Sequence, residues 1–140
     1  MEKEEDEDLE RIKEAKLREM LKRSEKGSDT EKRGEPVEVD ERNFEDVKGR
    51  SGLVVIDFWA SWCAPCRMMS PIIDEMARDY AGKILFGKLN VDRNQEIASK
   101  YQIVSIPTLL VFRDGELVDR IVGVFPKRLL EERLLRHIKP

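Results

Sequence analysis

Cysteine and histidine are scarce in this chain of 140 residues, which has only two cysteines and one histidine. Cys63 and Cys66 lie three positions apart, which is not a framework of structural disulfides. A structural zinc site would need further ligands, and the sequence offers no other cysteine and only His137. This scarcity disfavours a metal site and leaves thiol chemistry as the expected role of the pair. We expect no cofactor.

Long apolar runs and blocks of basic residues are also missing. No apolar stretch approaches the length that spans a membrane, and the first ten residues are acidic and polar, unlike a signal peptide. Acids and bases are interspersed, without the basic and aromatic clusters typical of nucleic-acid binding. We therefore expect a cytoplasmic protein with neither a membrane nor nucleic acid as partner. We also expect a monomer.

The charge is distributed unevenly along the chain. Residues 1–35 contain 10 Lys/Arg and 13 Asp/Glu, whereas residues 36–140 contain 16 of each, so the whole formal net charge of −3 belongs to the first segment. Such a composition buries too little apolar surface to offset the entropy of folding. We predict a charged N-terminal extension over 1–35, with a frayed helix over about 7–23, and a folded domain over 36–140.

Hydrophobic patterning predicts an α/β domain after the extension. Runs that are apolar on both faces predict central strands, and an Asp-Gly pair between two apolar runs predicts a hairpin. The predicted strands are 37–39, 53–60, 84–91, 108–112 and 117–123, and the predicted helices are a brief one from an N-cap at Asp40 through Asn43 to Val47, then 65–80, 95–101 and 127–138. The order βαβαβαββα predicts a central mixed sheet flanked by helices on both faces.

The two cysteines fall where the first central strand gives way to the long helix, in the sequence Trp62-Cys63-Ala64-Pro65-Cys66. Unpaired N–H groups and the positive end of the helix dipole lower the pKa of a cysteine at a helix N-terminus. Cys63, the more exposed candidate, is expected to attack, and Cys66, one turn later, to resolve the mixed disulfide. Pro65 fits the first helical turn without loss of a hydrogen bond.

Several motifs together resemble the thioredoxin family. DFWASWCAPCRMMSPIIDEMA, residues 57–77, is similar to its active-site strand and helix, and SIPTLLVFRDG, residues 105–115, to its proline loop and hairpin. The likeness runs from residue 37 to residue 138 in the order of the family. It implies the thioredoxin fold, a cis Pro107 facing the dithiol, a Gly123 that keeps the substrate groove open, and an Asp57 buried beneath Cys66. Ala64 departs from the glycine that is usual in the family.

Asp57 interrupts a strand that is otherwise apolar on both faces. Burial would raise the pKa of its carboxyl towards neutrality, which suits a group that exchanges a proton with Cys66. The alternative is a structural carboxylate paired with Lys88, which matches the family's lysine neighbour of that carboxylate. Both interpretations place Asp57 and Lys88 beside the dithiol.

The surface around the sulfurs is expected to bind substrate. Trp62 lies past the end of the strand beside Cys63 and is a candidate contact for substrate, whereas Trp59 is expected in the core. The predicted apolar patch comprises Trp62, Ala64, Pro65, Ile106, Pro107, Gly123 and Val124, and an extended peptide would suit it. We also expect Met68, Met69 and Met76 at core positions and His137 as a surface cation.

The predicted function is the reduction of protein disulfides through a reversible Cys63–Cys66 dithiol. The resemblance implies protein disulfide substrates and a thioredoxin reductase as partners. The alternatives are a disulfide isomerase or oxidase on the same fold and an interaction module. A small Ala64 in place of the histidine of the oxidising relatives favours the reducing role, and an intact dithiol disfavours simple scaffolding.

Overall fold

The structure is a computed structural model that describes residues 34–138. Most of the predicted extension, with its helix over 7–23, lies outside the described residues. The strands are β1 Val37–Val39, β2 Leu53–Trp59, β3 Ile84–Asn90, β4 Thr108–Arg113 and β5 Glu116–Val122, and the helices are α1 Phe44–Lys48, α2 Ala64–Asp79, α3 Gln95–Lys100 and α4 Lys127–Ile138. The predicted order of elements is confirmed.

The five strands form one mixed sheet in the order β1-β3-β2-β4-β5. β1 and β2 pair with β3 in parallel, and β4 runs antiparallel to both β2 and β5. β2 is therefore central, and six of its seven residues are buried, because helices cover both faces of the sheet. β4 and β5 are joined by the predicted hairpin turn, in which Asp114 and Gly115 both have positive φ.

Each face of the sheet packs its own hydrophobic cluster. On one face, α2 and α4 contribute Met69, Ile73, Met76, Leu130 and Leu134 against the inward residues of β2 and β3. On the other face, Phe44, Ile97 and Phe112 pack with the remaining strand residues. The alternation of residues along each strand explains this division, since successive side chains point to opposite faces.

A few local predictions are wrong. Met68 is 64% exposed because it lies on the outward face of α2, whereas Met69 and Met76 are fully buried as predicted. Trp59, the last residue of β2, is only partly buried and packs against the small cluster of Ala60, Cys63 and Cys66. α1 begins at Phe44, since the Asp40 carboxylate accepts from the N–H of Asn43 and closes a separate turn before the helix.

His137 is half-buried and lies against a carboxylate of another element. Its Nε2 lies 2.9 Å from Asp119 Oδ2 on β5, and Arg133 donates to both oxygens of the same carboxylate. The pattern in α4 could not reveal this contact, because the partner comes from a different element.

Candidate active site

The candidate site lies along one edge of the sheet. β2 and β3 are parallel, so their carboxyl ends meet at this edge and place the dithiol segment after Trp59 next to the loop that begins at Val91. β4 begins and β5 ends at the same edge, where the N–H of Gly123 donates to the carbonyl of Pro107 at 2.9 Å. Four chain segments thus converge where ligands commonly bind in open α/β sheets.

Cys63 and Cys66 are joined in a disulfide, with their Cα atoms 5.3 Å apart. Cys63 is the N-cap of α2, and the N–H of Cys66 donates to Cys63 Sγ at 3.2 Å. A free N–H group at a helix N-terminus stabilises negative charge on the capping atom, so this geometry suits a thiolate at Cys63. The exposed fractions of the two residues, 4% and 3%, do not separate an attacking from a resolving thiol.

The two cysteines do differ in the cavities they line. Cys63 lines an open groove of about 540 Å³, which we call the Cys63 groove; its other walls are Trp62, Ala64, Pro65, Val91, Ile103, Val104, Ser105 and Ile106. The groove is largely apolar, with Trp62 67% exposed and Val104 93% exposed. Cys63 Sγ lies 3.7 Å from the carbonyl oxygen of Ile106. A polypeptide in this groove would meet both apolar side chains and the backbone carbonyl of Ile106 beside the sulfur.

Cys66 lines a smaller cavity of about 270 Å³, which we call the Asp57 cavity; it is lined by Asp57, Trp59, Ala60, Ser61, Cys66, Arg67, Ser70 and Lys88. Asp57 is 2% exposed, and its Oδ1 has no hydrogen-bond partner among residues 34–138. Burial raises the pKa of Asp57 to about 7, partly opposed by the positive charge of Lys88 and reinforced by the negative charge of Asp74. An aspartate with a pKa near 7 can accept or release a proton near neutral pH.

Lys88 faces Asp57 across the sheet but does not form an ion pair with it. The two residues are register partners on β3 and β2. The Lys88 ammonium instead lies 3.0 Å from Asp74 Oδ1 and donates to Ser70 Oγ at 2.7 Å. The direct Asp57–Lys88 pair considered from the sequence is therefore replaced by a contact between β3 and α2.

The predicted patch residues lie in two places. Trp62, Ala64, Pro65 and Ile106 line the Cys63 groove together. The Ile106–Pro107 peptide bond is cis, as the resemblance implied, and Gly123 has φ 99°. A Cβ added at Gly123 would meet no atom of residues 34–138 within 4 Å. The surface formed by these residues is therefore open there, and Val124 beside it is 37% exposed.

Sequence reasoning missed several residues of the site. Trp62 Nε1 donates to Asp92 Oδ2 at 2.9 Å, which orients the exposed indole. Val91 and Val104 line the Cys63 groove. The position of Asp92, just after a predicted central strand, was an available signal, because the ends of neighbouring parallel strands meet at one edge. Val104 carried no comparable signal, since a single valine in a loop is unremarkable in sequence.

Within residues 34–138, no group of three or more His, Cys, Asp or Glu residues is arranged to hold a metal ion. None of the helices in that range is both long and apolar enough to cross a membrane.

Known proteins match this chain in sequence and in structure. Residues 35–136 match the Thioredoxin family. The thioredoxins of Staphylococcus aureus strains Mu50 and MW2 are each 49% identical to the chain over 102 residues, which cover 73% of this chain and 97% of theirs. A mutant thioredoxin from Halobacterium salinarum NRC-1 has a similar structure, with a TM-score of 0.71 and 32% identity over 77% of this chain and 95% of its own. With this match, this fold and a disulfide at the start of α2, the chain belongs to the thioredoxin family of thiol–disulfide oxidoreductases.

Proposed function

We propose that this chain works as a cytoplasmic electron carrier, which reduces the disulfides of other proteins and is itself reduced by a thioredoxin reductase. One observation supports this most directly: the two sulfurs of the Cys63–Cys66 disulfide face different surroundings, an open apolar groove and a cavity with a buried carboxyl. An attacking thiol needs access to substrate, whereas a resolving thiol needs a proton acceptor. The family membership supports the same division of roles.

In the first step, the Cys63 thiolate attacks one sulfur of a substrate disulfide. A new bond forms between Cys63 Sγ and that sulfur, the substrate S–S bond breaks, and the other substrate sulfur leaves as a thiolate. The position of Cys63 at the N-cap of α2, with the Cys66 N–H directed at its sulfur, favours the thiolate form.

In the second step, the Asp57 carboxylate takes the proton of Cys66. The Cys66 thiolate then attacks Cys63 Sγ, which closes the intramolecular disulfide and releases the second substrate sulfur as a thiolate. Two electrons have then passed from the dithiol to the substrate, and both released thiolates take up protons. A reductase restores the dithiol by supplying two electrons and two protons.

The Cys63 groove is the proposed binding site for an extended substrate segment. Trp62, Ala64, Pro65 and Ile106 would contact apolar side chains next to the substrate cystine. Pro107, Gly123 and Val124 would form the other side, where the open space at Gly123 leaves room for the peptide backbone. We propose that the protein acts as a monomer and needs neither nucleic acid nor a membrane.

The test is insulin reduction with dithiothreitol as electron source. Cys63→Ser is expected to abolish the activity, because no attacking thiolate remains. Cys66→Ser is expected to accumulate mixed disulfides, since its Cys63 still attacks but cannot be released. Mass spectrometry of the adducts distinguishes the two variants, and adducts on the Cys63 variant alone would reverse the assigned roles. Refolding of a scrambled substrate, measured in parallel, tests the isomerase alternative.

A further inference from the structure

One face of α2 connects the dithiol to the Lys88 ammonium. Cys66, Ser70 and Asp74 recur every four residues, so they lie in a row on the same side of the helix. Cys66 and Ser70 line the Asp57 cavity, and the next residue of the row, Asp74, binds Lys88. The row therefore runs from the resolving sulfur to the ammonium whose charge acts on the buried carboxyl.

Among residues 34–138, the charges that act on the Asp57 carboxyl are Lys88 on β3 and Asp74 on α2. α2 also presents Arg67 to the cavity, together with Cys66, which is uncharged in the disulfide. The register neighbour on β4 is the apolar Leu109. Arg67 donates to the carbonyl of Ser61 at 2.9 Å, which holds its guanidinium at the rim of the cavity.

Lys88 is therefore the cation whose position matters most. Its side chain starts from the residue directly opposite Asp57, and the flexible four-carbon stem of a lysine can direct its ammonium to more than one partner. In this structure the ammonium donates to Ser70 Oγ and contacts the Asp74 carboxylate. Asp57 Oδ1 has no hydrogen-bond partner within the described part of the chain.

We propose that Ser70 and Asp74 are positioning residues for the proton-transfer step: they hold the Lys88 ammonium at the mouth of the Asp57 cavity and prevent it from pairing with Asp57. The inference rests on the proposed function, because the proton in question is that of Cys66. If Lys88 moved onto Asp57, it would stabilise the ionised carboxylate and make it a weaker base. The Ser70–Lys88–Asp74 contact thus keeps Asp57 a sufficiently strong base to deprotonate Cys66.

The direct test is the titration of the Asp57 carboxyl in the full-length oxidised protein, followed by ¹³C NMR. Asp74→Asn is expected to lower the titration midpoint by roughly 0.5 to 1 pH unit, because it removes a nearby negative charge and releases Lys88. Ser70→Ala, which removes only the hydroxyl, should lower the midpoint by less. Ser70→Thr keeps a hydroxyl and should leave the midpoint at the wild-type value. Glu75→Gln is the matched control. It also removes a carboxylate from α2, but this carboxylate pairs with Lys127 and not with Lys88.

A double variant separates positioning from simple charge. If Lys88 causes most of the shift, Asp74→Asn should lower the midpoint much less in a Lys88→Gln background. An equal shift in both backgrounds would mean that Asp74 acts only through its own charge, and would overturn the proposal. So would an Asp74→Asn midpoint equal to that of the Glu75→Gln control.

The pH profile of the resolving step connects this titration to function. In Asp74→Asn, the pH dependence of the rate at which a Cys63 mixed disulfide is resolved should shift to lower pH, by the same amount as the Asp57 titration midpoint. A wild-type chain that fails to reduce insulin overturns the proposed function, and the proton-transfer role with it. If the wild-type chain reduces insulin but Asp74→Asn does not change the pH dependence of the resolving rate, this inference alone is overturned.

Discussion

Among single residues, Asp57 imposes the clearest conflict between function and stability. Its carboxyl is 2% exposed, and burial raises its pKa to about 7. The unfolded chain ionises near the ordinary value of 3.8, so between these two pH values the folded state binds more protons. Stability therefore decreases as the pH rises through this window, and the loss is complete above about pH 7.

Asp57→Asn should for this reason stabilise the fold at alkaline pH. A pKa raised from 3.8 to about 7 corresponds to a destabilisation of roughly 4 kcal/mol at alkaline pH. The variant should not recover all of this free energy, because a buried amide also needs hydrogen bonds. We expect the variant to gain roughly 2 to 4 kcal/mol in the free energy of unfolding at pH 8, and much less at pH 5. Urea unfolding at both pH values measures this.

Asp46→Asn, a substitution of an exposed aspartate on α1, is the control for the urea experiment. A gain of similar size in both variants, or a gain in Asp57→Asn that does not grow with pH, would contradict the assignment of the raised pKa to Asp57. Resolution of mixed disulfides should meanwhile become slower in Asp57→Asn, since the variant lacks the proton acceptor.

The burial of Asp57 was predictable from sequence, but its surroundings were not. An acid within a run of β-branched and aromatic residues has to lie in a covered strand, and this could be seen without a structure. The distance between Lys88 and Asp74 depends on how α2 crosses the sheet, and no pattern within either segment contains that information. For the same reason the sequence suggested an Asp57–Lys88 pair, whereas the structure forms a Lys88–Asp74 pair.

At the scale of elements, α4 is held on β5 by polar contacts as well as by Leu130 and Leu134. Burial alone would raise the pKa of Asp119, but hydrogen bonds from Arg133, His137 and the N–H of Arg120 outweigh it and lower the pKa to about 2. Because the folded-state pKa lies below the ordinary 3.8, the resulting stability is present above that value and disappears as the pH falls towards 2.

Asp119→Asn should accordingly destabilise the fold by about 1 to 2 kcal/mol at pH 7, a value reduced for solvent screening because Arg133 is 42% exposed. The difference from wild type should shrink as the pH falls from about 4 to 2. Urea unfolding across this range tests both statements. Glu132→Gln, on the same helix, is the control; if it behaves as Asp119→Asn does, the Asp119 contacts are not the cause.

β1 approaches β3 closely because β3 has a glycine at the contact. A Cβ built on Gly87 would lie 2.6 Å from Val39 Cγ2, well inside van der Waals contact. Gly87→Ala should therefore destabilise the fold by roughly 1 to 3 kcal/mol through overpacking. Val39→Ala removes the clashing methyl group, so the double variant should be more stable than the sum of the two single effects predicts.

Chemical denaturation of the four proteins in this cycle gives the coupling energy. Strictly additive effects would show that the space at Gly87 is not limited by Val39.

Sequence patterns predicted the elements better than the contacts between them. The strands β2 and β3 and the helix α2 were located to within about a residue at each end, since their apolar residues repeat over many positions. Met68 and Met69 show the limit. The sequence placed both in the core, but adjacent residues on a helix point about 100° apart, and only Met69 faces the core while Met68 is exposed.

At the scale of the whole molecule, the proposed site belongs entirely to the folded domain. All of its residues fall between Asp57 and Val124, on segments that meet at one edge of the sheet. The curated thioredoxins of Staphylococcus aureus are matched over 97% of their length by 102 residues of this chain. Those relatives therefore consist of little more than the domain described for this chain.

Removal of residues 1–33 should leave folding and insulin reduction essentially intact, because no residue assigned to the chemistry lies there. The exact boundary matters, because Gly34 is buried and a Cβ there would lie 2.9 Å from Arg78 Cα on the α2 side of the fold. Thermal unfolding and insulin reduction should be compared for the full chain, for a chain starting at Gly34, and for one starting at Pro36. The first two should agree closely in both measurements, and the third should be less stable through loss of the Gly34 contact. If the chain starting at Gly34 keeps the thermal stability of the full protein but loses most of its reductase activity, residues 1–33 must contribute to the site or to substrate binding, and the division into extension and domain would be wrong for function.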